Sequence, residues 1–194
     1  YKRQTLDSII WMAEGRKYEE VVLMTASLAR LLRQSISNED EVVPLAREVE
    51  YAKGYLTIQK MRYKDKLEFE IDVEPSILNI PLIKLVLQPI IENAIYHGLK
   101  YKESKGLLQV KGFMKDGNAV LQVIDNGVGM DEETLSHIYD KHKVNYHSNG
   151  VGVSNVQKRL KLYYGENYGI TYESEKGVGT TATITIPGIQ EESI

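Results

Sequence analysis

The chain has 194 residues, of which 42% are hydrophobic, so it contains enough apolar side chains for one large or two small domains. The absence of cysteine excludes disulfides, cysteine-bound zinc and thiol catalysis. The formal net charge is −3 with both signs interspersed, which indicates no nucleic-acid-binding surface. We find neither a signal peptide nor an apolar run of transmembrane length. Tyr1 falls inside a helical pattern, so we expect a fragment of a longer protein.

The first third of the chain has the periodicity of helices. Apolar residues recur at helical spacing from Val21 to Ile36, and again from Leu45 to Leu56. A polar stretch, residues 37–41, separates the two patterns. We therefore predict a helical hairpin or bundle that occupies residues 1–65.

The periodicity changes at the start of the second part, residues 66–194. Residues 67–73 alternate apolar and acidic side chains, which predicts a strand with one face in solvent. A helical pattern then begins at Pro81 and runs to His97. Pro89 lies inside that pattern, where we expect it to kink the helix or to mark its break.

Strands and helices alternate in the rest of the chain. In order, the predicted elements are a β-hairpin of residues 107–114 and 119–124, a short helix near residues 133–139, a helix over residues 153–163, and strands at residues 170–173 and 180–186. The predicted fold class is therefore α+β. An N-terminal helical hairpin or bundle precedes a mixed, largely antiparallel sheet with helices on one face.

Four short motifs follow one another in this second part. They are Leu87 to Gly98, Asp125 to Met130, Asn149 to Leu160, and Gly177 to Pro187. The third is a glycine turn that opens a helix, where backbone N–H groups can bind an anion. No Gly-Lys-Ser/Thr follows, which excludes a P-loop. The ordered set resembles the N box, G1 box, G2 box and final Gly-Thr strand of the GHKL ATP-binding fold, which serves histidine kinases, gyrase-type ATPases, Hsp90-type chaperones and MutL-type repair proteins.

This resemblance implies ATP and Mg²⁺ as cofactors and assigns roles to individual residues. Asp125 matches the aspartate that binds the adenine amino group, and Thr180 matches a threonine that helps to hold adenine. Asn93 matches the asparagine whose carbonyl oxygen binds Mg²⁺ and serves catalysis. The further implied residues are Glu92 as a catalytic base or a contact to metal-bound water, His97 at the phosphates, Gly127 and Gly129 at the base, and Gly150, Gly152 and Val153 at the phosphates.

Each assignment has a structural alternative. Asp125 would then only cap a turn, Asn93 would be a hydrogen-bonded core amide, and Thr180 a solvent-facing strand residue. Glu92 would lie on the helix surface. Residues 131–149 match the ATP lid of the fold, and their basic side chains would otherwise belong to a solvated loop.

The leading helices select one branch of the fold. The sequence from Gln88 to Ile95 with His97-Gly98, and that from Asn155 to Leu160, resemble sensor histidine kinases of the LytS/YesM type. Thr5 to Ile9 resembles the end of their phosphoacceptor segment, which implies an acceptor histidine just before Tyr1. The resemblance implies the cytoplasmic catalytic fragment of a two-component kinase that transfers the γ-phosphate of Mg-ATP to that upstream histidine, for onward transfer to a response regulator. It also implies a homodimer through the N-terminal helices, and a cell-membrane parent attached through segments outside this sequence.

A second function remains open at this stage. A nucleotide-binding pseudokinase, or a dimerisation module without phosphotransfer, would explain two departures from many kinases. Tyr96 stands where many have Lys or Arg, and Pro89 stands where many have a second polar residue. A gyrase- or MutL-type ATPase fits less well because the leading helical bundle does not match.

Overall fold

A computed structural model describes residues 2–36, 41–136, 138 and 150–188. Its helices are α1 (Lys2–Glu14), α2 (Tyr18–Ile36), α3 (Leu45–Tyr63), α4 (Leu87–Asn93), α5 (Glu132–Ser136) and α6 (Gly150–Tyr164). Its strands are β1 (Val42–Pro44), β2 (Leu67–Val73), β3 (Pro81–Ile83), β4 (Gly106–Lys115), β5 (Asn118–Asp125), β6 (Gly169–Glu175) and β7 (Gly179–Pro187).

Five of the strands form the main sheet, in the order β2-β4-β5-β7-β6. β2 runs parallel to β4, and the other neighbours are antiparallel. The β4–β5 hairpin turns at Asp116 and Gly117, both with positive φ, as a tight two-residue hairpin turn requires. The predicted hairpin and the predicted mixed, largely antiparallel sheet are both confirmed.

The helices cover one face of this sheet. Side chains alternate along each strand, so Leu121, Val123 and Asp125 of β5 face inward and Gln122 faces outward. The inner face packs on α3, α4 and α6 through a continuous core that includes Leu56, Ile91, Val110, Leu160 and Ile184. The predicted α+β class, with helices on one face, is confirmed.

The helix predicted from Pro81 to His97 is wrong in its first part. Pro81–Ile83 forms strand β3, which pairs with β1 in a separate two-stranded sheet. α4 begins only at Leu87, so Pro89 lies in its first turn, where its missing N–H has no helical partner to lose. Pro89 therefore need not kink the helix.

α4 continues directly into a π-helix, Ala94–Leu99. The N–H of Lys100 donates to the carbonyl of Ile95 at 2.9 Å, a bond that spans five residues and widens the turn. Single π-turns within helices occur often at functional sites. Here the π-helix carries His97 and Gly98, two residues of the first motif.

The N-terminal helices join the rest of the molecule through α3. α1 packs on α2, and α2 packs on α3. Leu45, Ala52 and Leu56 of α3 belong to the core under the main sheet. The division into units at residues 65 and 66 remains a prediction. Within the described ranges, no helix is long and apolar enough to cross a membrane.

Candidate functional site

A cavity of about 410 Å³ lies between the α4–π-helix segment, the C-terminal end of β5 and the N-terminal end of β7. Its volume is within the range of small-molecule sites. Five of the residues predicted from the sequence line it, and they come from three of the four motifs: Asn93, His97, Asp125, Gly129 and Thr180.

Asp125 is the buried charge at one end of this cavity. It is 6% exposed, and its Oδ1 accepts the backbone N–H of Gly127 at 2.8 Å. Burial raises the pKa of Asp125 to about 6, while the N–H groups of Gly127 and Thr180 and the charge of Lys102 act in the opposite direction. The carboxylate is therefore ionised at neutral pH and can accept further hydrogen bonds from a ligand in the cavity.

Two glycines make room for this carboxylate. A Cβ atom on either Gly98 or Gly127 would lie 2.6 Å from Asp125 Oδ1. The carbonyl of Gly98 also accepts the N–H of Val128 at 3.1 Å, which ties the π-helix to the turn after β5. The first and second motifs thus meet backbone to backbone at the aspartate.

The turn after β5 also packs against the turn that precedes β7. Gly129 has φ 62°, and a Cβ there would overlap the carbonyl oxygen of Glu175. Gly179 has φ 146°, and a Cβ there would overlap the carbonyl oxygen of Asp125. Only glycine adopts such conformations at no steric cost and also leaves room for the neighbouring backbone.

Ser174 on β6 connects these two turns and orients Thr180. Its Oγ accepts the N–H of Met130 at 2.9 Å and lies 2.9 Å from both the carbonyl of Gly179 and Oγ1 of Thr180. A serine hydroxyl has one hydrogen and a carbonyl can only accept, so Ser174 donates to Gly179. Thr180 must then donate to Ser174, which leaves Thr180 only lone pairs for the cavity.

The first motif supplies another wall of the cavity. Asn93 is the last residue of α4, is half-buried and lines the cavity, and the exposed His97 lines it one turn later. Glu92 is not among the lining residues. Its Oε1 accepts Nε2 of Gln88 at 2.9 Å, so its catalytic role remains a prediction.

The described part of the third motif lies beside this wall, and neither Gly152 nor Val153 lines the cavity. α6 begins at Gly150, and a Cβ on Gly152 would be 3.4 Å from Cβ of Pro89 on α4. Val153 is buried in the core. The phosphate roles predicted for these three residues remain predictions. Most of the predicted lid, residues 137 and 139–149, lies outside the described residues.

Protein-family models match both parts of the chain. The model of the family described as histidine kinase-, DNA gyrase B- and HSP90-like ATPase matches residues 79–190. The chain belongs to this ATPase family. A second model, described as histidine kinase, matches residues 3–67, so the two models together cover nearly the whole chain.

Individual relatives place it nearer to sensor kinases. The chain is 33% identical over 183 residues to sensor histidine kinase YesM of Bacillus subtilis, covering 94% of this chain and 30% of that protein. It is 33% identical over 143 residues to sensor protein LytS of Oceanobacillus iheyensis, covering 72% of this chain and 24% of that protein. The resemblance to the LytS/YesM type is confirmed, and the chain spans less than a third of either relative.

Solved structures share the fold. The catalytic domain of histidine kinase ThkA superimposes with a TM-score of 0.57 at 17% identity, covering 77% of this chain and 99% of that one. The histidine kinase domain of the Erythrobacter litoralis EL346 blue-light activated histidine kinase superimposes with a TM-score of 0.55 at 14% identity. The match covers 87% of this chain and 72% of that one.

The sequence did not predict several of the residues that line this cavity. They are Ile90, Ala94, Val123, Met130, Thr134, Ile138, Tyr172 and Ala182. Tyr172 pairs with Ala182 across β6 and β7, so the strand alternation could have indicated that both face inward. The same alternation applies to Val123 on β5. The remaining residues depend on how α4 and the segment after β5 approach the sheet, which no local pattern indicates.

The described residues contain no group of three or more His, Cys, Asp or Glu side chains that could hold a metal ion. Mg²⁺ usually keeps several waters and is bound by one or two protein oxygens together with substrate phosphates. The side-chain oxygen of Asn93 fits such a role.

Proposed function

We propose that this chain is the Mg-ATP-binding catalytic part of a two-component sensor histidine kinase. The observation that carries the proposal is that Asp125 and Asn93 line the same cavity. The buried carboxylate acceptor of Asp125 suits a base that carries an amino group, and the amide oxygen of Asn93 suits a metal-bound phosphate. The ATPase family and the sensor-kinase relatives support the same function.

Asp125 and Thr180 would select the base. Both present acceptors to the cavity, and they face each other across β5 and β7. The exocyclic amine of adenine can donate to such acceptors, whereas the carbonyl oxygen of guanine at the same position would be repelled. We therefore expect ATP to bind in preference to GTP.

The chain would contribute to phosphotransfer mainly by positioning. A histidine nitrogen attacks the γ-phosphorus, the bond to the bridging oxygen breaks, ADP leaves and the histidine loses its proton to solvent. Mg²⁺ would neutralise phosphate charge, with Asn93 as its protein ligand, and the N-terminus of α6 would face the phosphates. All four histidines of the chain lie from His97 onward, and none lies in α1–α3. We place the acceptor in a part of the parent kinase outside residues 1–194.

The same proposal includes a homodimer. Leu6 and Ile10 on α1, and Tyr18 and Val22 on α2, are each more than half exposed and lie four residues apart on one face of their helix. A second copy of the chain would cover these apolar faces. Sedimentation should therefore show a dimer that Val22→Glu weakens, while Leu162→Glu, at an exposed position of α6, leaves it unchanged. Equal sedimentation of the two variants would contradict this interface.

The further partners follow from the kinase relatives. We propose a response regulator as the final phosphate acceptor and a cytoplasmic position for this chain within a membrane-anchored parent.

Calorimetry with ATP and GTP tests the nucleotide site. Incubation with labelled ATP and Mg²⁺ should label a longer protein that includes the acceptor histidine, and should leave this chain unlabelled. ATP binding without any transfer to the longer protein would favour the pseudokinase instead.

A further inference from the structure

Helix α3 carries a carboxylate inside the hydrophobic core. Glu48 is only 2% exposed, and Leu45 and Ala52, three residues before it and four after it, are core residues on the same side of the helix. A buried carboxylate destabilises a fold unless its oxygens are hydrogen-bonded, and an apolar residue would fill the same space without that cost. Its partners therefore show what Glu48 does.

Both oxygens of Glu48 bind the backbone immediately before and at the start of α4. Oε1 accepts the N–H of Leu85 at 2.8 Å, and Oε2 accepts those of Val86 at 2.9 Å and Leu87 at 3.1 Å. Leu85 has φ 63°, an uncommon left-handed conformation that allows successive N–H groups to converge on one anion. Leu87 is the first residue of α4, so Glu48 binds the N–H groups at the point where that helix begins.

A third element meets the same junction. Nη2 of Arg159 on α6 donates to the carbonyl of Lys84 at 2.9 Å. Its positive charge also opposes the effect of burial, which raises the pKa of Glu48. The junction thus holds together α3, the segment before α4, and α6, whose first residues belong to the third motif.

The start of α4 is close to the cavity. α4 has seven residues and ends at Asn93, about 9 Å along the axis from Leu87 at a rise of ~1.5 Å per residue. The π-helix that follows carries His97 and Gly98 to the cavity. α3, which carries Glu48, also packs on α2. A displacement of α3 relative to the sheet would therefore move the wall that carries Asn93.

We propose that Glu48 is a positioning residue that couples the N-terminal helices to the nucleotide site by fixing the start of α4. The proposal rests on the function given above, in which Asn93 faces metal-bound phosphates. Glu48 itself touches no ligand and acts through the backbone of Leu85–Leu87. Linkage requires the coupling to work in both directions, so nucleotide binding also restrains α3.

The test is Glu48→Gln, which nearly preserves the size of the side chain. Its amide group turns one acceptor oxygen into a donor that faces backbone N–H groups. The matched control is Glu103→Gln, on an exposed loop. Calorimetry should show Mg-ATP binding roughly tenfold weaker in Glu48→Gln but adenosine binding within about twofold of the control, because adenosine depends on Asp125 and not on Asn93.

Hydrogen exchange supplies a readout that a purely structural role would not change. In the wild type, Mg-ATP should slow amide exchange in α3 as well as around the cavity. In Glu48→Gln the protection of α3 should be lost while protection near Asp125 persists.

The outcomes separate the two proposals. A wild-type chain that binds no Mg-ATP refutes the proposed function. A wild type that binds, with a Glu48→Gln variant that weakens neither ligand or weakens both equally, overturns the positioning role alone. If Glu48→Gln does not fold, Arg159→Lys keeps the charge but changes the geometry of the donor to the Lys84 carbonyl. Its ratio of Mg-ATP to adenosine affinity must then fall, and an unchanged ratio overturns the role as well.

Discussion

Gly98 lies against the carboxylate of Asp125, such that a Cβ atom on Gly98 would be 2.6 Å from Oδ1. That distance is shorter than any normal contact between carbon and oxygen atoms. The glycine at the end of the first motif therefore determines where the aspartate of the second motif can stand.

Gly98→Ala should displace the Asp125 carboxylate and weaken adenosine binding by roughly tenfold or more, because the base loses a well-placed acceptor. Gly54→Ala is the matched control, since a Cβ on Gly54 meets no atom within 4 Å. Gly54→Ala should bind normally and gain about 0.5–1 kcal/mol of stability, as glycine within a helix is unfavourable. Calorimetry and thermal unfolding measure both effects, and normal binding by Gly98→Ala would contradict this account.

Adenosine binding should weaken as the pH falls through about 6, the pKa of Asp125. At a pH about one unit lower, roughly a tenth of the carboxyls remain ionised to accept from the amine, so affinity should drop about tenfold. Adenosine replaces ATP in this experiment because phosphate groups titrate in the same range. Asp125→Asn should bind more weakly at neutral pH, by about 1–3 kcal/mol, and show no such pH dependence. A wild type whose affinity is flat between pH 5 and pH 7 would be inconsistent with an ionised Asp125 at the base.

Protonation of Asp125 weakens adenosine binding but should stabilise the ligand-free protein against unfolding. Burial raises the folded-state pKa of Asp125 above its ordinary value of 3.8, so the folded protein takes up the proton first as the pH falls. The stability contributed by that proton is fully present below 3.8 and is lost as the pH rises through about 6. The difference in unfolding temperature between wild type and Asp125→Asn should therefore change across this window, and a constant difference would argue against the raised pKa.

Asn93→Ala should separate metal-dependent from metal-free binding. The alanine variant loses a side-chain oxygen at the cavity wall but leaves the region around Asp125 intact. Mg-ATP affinity should fall by roughly tenfold or more, and the affinity for ATP with a chelator present should change much less. Equal losses in both conditions would assign Asn93 to the structure of α4 instead.

Ser174→Ala should relax the choice of base. Without Ser174 the hydroxyl hydrogen of Thr180 has no partner on β6 and can turn towards the cavity. ATP should then bind several-fold more weakly, by about 1 kcal/mol, while ITP, which has a carbonyl in place of the amine, should lose less. Thr171→Ala on the exposed side of β6 is the control and should preserve the ratio of ATP to ITP affinity. A ratio that Ser174→Ala leaves unchanged would refute the hydroxyl orientation.

Local sequence determined those parts of the molecule whose signals lie within a few residues of one another. β4 and β5 form the predicted hairpin, and Asp116 and Gly117 make its turn because such residues adopt positive φ readily. Asp125 stands at the end of a buried strand, where alternation and the following glycine turn placed it. The four motifs could thus be located along the chain, and five predicted residues meet at one cavity.

Only the tertiary structure decided what depends on distant segments. Pro81–Ile83 is a strand because it pairs with Val42–Pro44, and three residues are too few to show a period of two. Glu48 looks like any charged residue on a helix until Leu85–Leu87 meets its carboxylate. Ser174 likewise acquires its role only when two glycine turns close around it. Backbone preference is set by chain neighbours, whereas burial and hydrogen-bond partners are set by segments that meet only on folding.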